Sequence, residues 1–188
     1  SRAVRGARTG TEHYSANLLR ELARLPAAGA HRFSCYVNSQ ERNPEALFGF
    51  ALPPHFAVRP IPFRRLWTHL RLSAAVAAQA PGVLFVPAHV VPLVHPRRTV
   101  VTIHDLGYLY YPEAHTRASR LYLDLSTRFS TRAARRVIAI SQTTADDLQQ
   151  HYHVPPAKIR VIPHGCDPAF QPIQDMAMLA RTRVHYGI

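Results

Sequence analysis

Three short runs in this chain of 188 residues are apolar or β-branched from end to end, Val83–Val86, Thr99–Ile103 and Val137–Ile140, and a fourth, Ile159–Ile162, is broken only by Arg160. A strand with one face in water alternates apolar and polar side chains. A run without that alternation belongs to a strand covered on both faces, which means a parallel sheet flanked by helices. Phe33–Val37 and Val58–Ile61 read as two further strands ahead of this group. Helical spacing fills the intervals. Tyr14, Leu18, Leu22 and Leu25 mark a helix from Gly10 to about Leu25, opened by a capping-box pattern at Thr9 and Glu12 and stopped by Pro26 and Gly29. Arg64–Ala80 is a helical stretch ended by Pro81-Gly82, and Thr116–Ala134 carries Leu121, Leu125 and Phe129 at i, i+4 and i+8. Thr143–Tyr152 begins with a second cap pattern, Thr143 and Asp146. Strands alternating with helices predict an α/β, doubly wound domain built on a mainly parallel sheet with helices on both faces.

One element is missing from that plan. The glycine turn that opens the first helix of such a sheet normally follows its first strand. Only nine residues precede Gly10, and they are polar and basic. The first strand is therefore expected to be cut away or supplied from elsewhere, and Ser1, which no start codon encodes, makes the chain read as a fragment.

Composition narrows the class. With 47% hydrophobic and 18% charged residues the chain is globular and not disordered. The longest weakly polar run, Leu72–Pro87, is interrupted by Gln79, Pro81 and Gly82, short of the roughly 20 apolar residues a membrane span needs. No signal peptide is expected from Ser1-Arg2-Ala3-Val4-Arg5. Cys35 and Cys166 lack metal-like spacing and read as reduced thiols of a cytoplasmic protein. The net charge of +12 attracts phosphate in nucleic acid, anionic lipid or a nucleotide sugar, but Arg-, Ala- and Pro-rich genome composition explains it equally well.

Ligands of open α/β sheets bind beyond the carboxyl ends of the strands. The residues there are Pro87-Ala88-His89, His104-Asp105-Leu106, Ser141-Gln142-Thr143 and Pro163-His164-Gly165. His104 can hydrogen-bond a sugar hydroxyl or a phosphate, or can tie its loop to the backbone as a structural histidine. Asp105 can orient His104 or cap a turn. Gly10 lets a ligand approach the N-terminus of a helix, where an anion is favoured, or makes an ordinary turn. Ser141 is most simply an N-cap, with a phosphate or hydroxyl contact as the other reading. No GxGxxG or GxxxxGK[ST] pattern is present, so no standard dinucleotide or P-loop site is expected. His151 and His153 lack the further ligands a metal would require. Arg64–Leu72 combines Arg, Trp67 and Leu as at an anionic membrane surface, or packs Trp67 and Leu70 on the sheet with its arginines in solvent. Nucleic acid is not expected as a partner, because no reading motif accompanies the charge.

Together, Thr9–Leu19, Thr99–Leu106, Arg136–Ser141 and Val154–Asp167 resemble the N-terminal domain of family 4 (group 1) glycosyltransferases. The resemblance implies one Rossmann-like half of a retaining GT-B enzyme, with the acceptor on this side of a cleft and the donor nucleotide on a second domain. It implies a nucleotide-sugar donor, a sugar or lipid-linked acceptor, and no bound metal or cofactor. By the same resemblance His104 contacts the donor sugar, Gly10 and Thr11 approach donor phosphate and acceptor, and the stretch containing His164 leads to the interdomain linker. Two positions depart from the pattern: Glu12 stands where a second glycine is frequent, which either narrows the loop or puts a carboxylate beside the acceptor, and His164 stands where Asn is frequent. The expected division is a domain at residues 1–170 and a linker with the start of a missing donor domain at 171–188, little active alone, cytoplasmic, with peripheral membrane contact as one reading. A non-catalytic acceptor- or lipid-binding module and a basic nucleic-acid-binding protein are the alternatives.

Overall fold

The computed structural model describes residues 9–166 and 170–188. The strand-like runs form parallel strands as predicted. Strands β3 (Leu84–Val86), β4 (Thr99–Ile103), β5 (Arg136–Ala139) and β6 (Ile159–Val161) lie in that order in one parallel sheet. Its register sets Val101 opposite Val86 and Val137, and Ile103 opposite Ala139. Val101, Ile103, Val137 and Ala139 have no accessible surface, as the absence of polar alternation in these runs requires.

Among the described residues the strands fall into two sheets. Strands β1 (Phe33–Val37) and β2 (Phe56–Pro60) pair, among the described residues, only with each other, again in parallel. In a doubly wound sheet ordered 3-2-1-4-5-6, the strand between β1 and β3 is the one that precedes the first helix. The described residues begin at Thr9, and residues 1–8 lie outside them. The two sheets are tied by helix α1 (Gly10–Arg24), whose Leu19 packs on the small core of Val37, Leu47 and Phe48, while its Tyr14 hydroxyl lies 3.2 Å from Oγ1 of Thr102 on β4. Tyr36 on β1 adds a second tie, donating its hydroxyl to Gln79 Oε1 at 3.0 Å.

Helix α1 opens with the capping box the sequence announces. Glu12 Oε2 accepts the Thr9 amide at 2.6 Å, and the Glu12 amide returns to the Thr9 carbonyl at 3.0 Å. Short helix α2 (Pro44–Phe48), capped by Asn43, links β1 to β2. The helical stretch expected from Arg64 begins later, as a π-turn over Thr68–Leu72 that runs into α3 (Ser73–Gln79). Leu66 has a left-handed backbone, φ 53, which blocks an earlier start, and the indole of Trp67 folds back to donate to the Ile61 carbonyl at 2.7 Å. Trp67 is thus half-buried against the main core, whereas Leu70, expected on the sheet in one reading, is exposed.

Helices α4 (Gly107–Tyr110), α5 (Arg117–Ala133) and α6 (Gln142–Tyr152) complete the packing. Of the stripe that marks α5 in the sequence, only Phe129 packs on the core. Leu121 and Leu125 are 61% and 55% exposed, while Ser126, Thr127, Ser130 and Thr131 face inward. Small hydroxyl residues let the helix lie close, and each finds a partner. Ser130 Oγ accepts the Val91 amide at 3.0 Å, and Thr127 Oγ1 accepts the Tyr108 hydroxyl at 3.0 Å. Tyr108 also meets the Tyr152 hydroxyl, which donates to Asp124, so one network pins α4, α5 and α6 together. The cap of α6 is Ser141 and not the Thr143–Asp146 pattern, because the helix starts at Gln142. The last helix, α7 (Met176–Tyr186), buries none of its residues.

Candidate functional site at the strand tips

Each strand of the main sheet ends at the same edge, and the residues that follow meet there. His104, one residue beyond β4, is only 7% exposed. Its Nε2 lies 2.9 Å from the Pro87 carbonyl at the end of β3. A carbonyl oxygen can only accept, so Nε2 carries the hydrogen and Nδ1 of the neutral ring is left with a lone pair. Nδ1 makes no hydrogen bond with protein among the described residues. The Tyr14 ring stands edge-on to His104, centroids 5.0 Å apart at 86°. Behind it, the His104 carbonyl accepts Thr144 Oγ1 at 3.3 Å. Ring and backbone are therefore both fixed, and the structural and ligand-facing readings of His104 are compatible: one nitrogen serves the fold and the other is available.

His164, beyond β6, joins the same cluster. It stacks on Tyr14 at 4.7 Å and lies 5.4 Å from His104. Burial of its ring and, second, the nearby His104 hold this imidazole below the usual histidine range. His89 closes the group at 5.9 Å from His104 and donates from Nε2 to the Asp105 carbonyl at 2.9 Å.

The remaining candidates sit on this edge in supporting roles. The Asp105 carboxylate accepts the Gly107 amide at 2.9 Å, capping the turn into α4. Ser141 Oγ accepts the Thr144 amide at 3.1 Å, which places Thr144 beneath His104. Glu12 is buried with its carboxylate on the Thr9 amide. Gly10 starts α1 one turn before Tyr14, and a Cβ built there meets nothing within 4 Å. Among the described residues neither packing nor a positive φ requires glycine at this position. Thr11 is half-buried in the first turn, its carbonyl accepting Ser15 Oγ. Asp167, last residue of the fourth motif, lies outside the described residues.

Sequence reading missed Tyr14, the hub of the cluster. Its helical spacing with Leu18 and Leu22 made it look like core, and only the fold shows one helix face carrying both a core leucine and a contact to the strand tips. No group of three or more His, Cys, Asp or Glu among the described residues is arranged to hold a metal ion.

Comparison with known proteins adds a family to this geometry. One relative, the O-antigen chain mannosyltransferase RfbU of Salmonella typhimurium, is 30% identical over 74 residues, 39% of this chain. The matched stretch covers 20% of that protein's own length. A family model described as Glycosyltransferase Family 4 matches residues 8–170, which takes in both sheets and every residue of the tip cluster. The chain belongs to Glycosyltransferase Family 4.

Proposed function

We propose that the full-length protein moves a sugar from a nucleotide-sugar donor to an acceptor with retention of anomeric configuration, and that this chain is the acceptor-side half of a GT-B enzyme. The observation that carries the reading is the convergence, on one sheet edge, of a fixed imidazole with a spare lone pair and the first turns of a 15-residue helix, whose Tyr14 ring packs edge-on against His104. His104 Nδ1 accepts a hydroxyl of the donor sugar and so holds the ring while its anomeric carbon becomes positive. Gly10 and Thr11 offer helix N-terminal amides to the departing phosphate, whose negative charge grows in the transition state. Asp105, Ser141 and Glu12 hold the turns and helix starts from which these groups act. His164 lines the acceptor side next to Tyr14.

A second domain supplies most of the phosphate contacts, and the chain alone turns over little or no substrate. Work in the cytoplasm is part of this reading, supported by two cysteines far apart in the chain and without metal-like spacing. The relative's O-antigen mannose transfer supports a hexose donor and a glycan or lipid-linked acceptor. The test incubates full-length protein with a panel of nucleotide sugars and membrane extract, following nucleotide release and the anomeric coupling of the product. Release with a retained anomer is expected. Release with inversion would remove the retaining mechanism, and no release with any donor would remove the transferase reading.

A further inference from the structure

Helix α5 turns Leu121, Tyr122 and Leu125 to solvent, and this exposed patch does not end with the helix. Tyr122 bridges from α5 to the π-turn, its hydroxyl 3.4 Å from His69 Nε2, so Leu121, Tyr122 and Leu125 continue towards Leu66 and Leu70. All five are exposed, between 48% and 61%. Exposed apolar patches that continue across two elements mark contact sites.

The rim says what the contact is. Arg117 and Arg120 line a cleft of about 300 Å³ with Leu109 and Leu121 beside α5. Arg64, Arg65 and Arg71 are exposed around Leu66 and Leu70. The carboxylate in the cleft, Asp124, is bound by Arg128 at 2.8 Å and by the Tyr152 hydroxyl. We infer that this face docks the protein onto an anionic lipid bilayer, with the leucines and Tyr122 at acyl depth and the arginines on headgroup phosphates. A second copy is the wrong occupant, since like faces of a chain with net charge +12 repel. Trp67, turned inward onto Ile61, is not part of the anchor.

The surface is tested without any sugar nucleotide, so it stands or falls separately from the transferase reading. Sedimentation with vesicles of phosphatidylcholine, with and without phosphatidylglycerol, measures it directly. The chain is expected to partition about tenfold or more in favour of the anionic vesicles, and to lose that preference in R117Q/R120Q. L121E/L125E should abolish binding to both, with L121S/L125S as a milder pair if circular dichroism shows the first to be misfolded. Equal binding to neutral and anionic vesicles, binding retained in the leucine variants, or a dimer in light scattering that those variants dissociate would each overturn the proposal.

Discussion

Three rings meet around the hydroxyl that Tyr14 places 3.2 Å from Thr102 Oγ1, and two of them, His104 and His164, can carry charge. Their proximity makes a pH effect calculable in sign. His164 titrates below its ordinary value of 6.5, so between that value and its folded pKa the folded chain binds fewer protons than the unfolded one. Stability contributed at this position is fully present above 6.5 and falls as pH drops through the interval. Histidine ring signals followed by NMR should show His164 titrating below 6.5, and His104→Ala should move it up by opening its ring to water and removing the neighbouring imidazole. An unchanged His164 titration in that variant would break the coupling. At this scale the strand ends were legible as a set: His104, Asp105, Ser141 and His164 all emerge where a β-branched run stops. What the sequence could not supply was duty. Which nitrogen of His104 is occupied depends on Pro87, which is 17 residues away and on another strand.

Helix α5 shows why element existence was easier to read than orientation. Leu121, Leu125 and Phe129 announce a helix by their spacing, and the helix is there. Hydrophobicity then marks the buried face only in part: Phe129 packs on the core, but the surface that α5 meets also supplies polar groups that need partners. The Val91 amide has Ser130 Oγ, and Tyr108 has Thr127. Burying a hydroxyl that accepts such a bond costs little, and removing it strands a buried donor. Ser130→Ala should therefore destabilise the chain by about 1–3 kcal/mol in urea unfolding. Leu121→Ser, at an exposed position, should stay within about 0.5 kcal/mol. The reverse order would mean that the leucine stripe is the buried one. The π-turn at Thr68–Leu72 was illegible for a related reason: its late start is fixed by the Leu66 backbone and by Trp67 reaching back to Ile61, and no local spacing encodes either.

For the molecule as a whole, the doubly wound plan came from runs without alternation, and it held for β3 to β6. The division into two sheets did not follow from those runs, because nothing local tells β1 which neighbour it has. Two cores, a shared helix and one polar tie nonetheless keep the edges of β1 and β3 on the same body as the strand tips. No helix among the described residues is long and apolar enough to cross a membrane. The central claim is that chemistry occurs at the strand-tip edge through His104. Turnover of full-length protein with its best nucleotide sugar, compared between His104→Ala and the exposed control His115→Ala, tests that claim most directly. The first should lose about 100-fold or more in kcat while the second stays near wild type. Equal rates for the two variants would place the reacting sugar somewhere else.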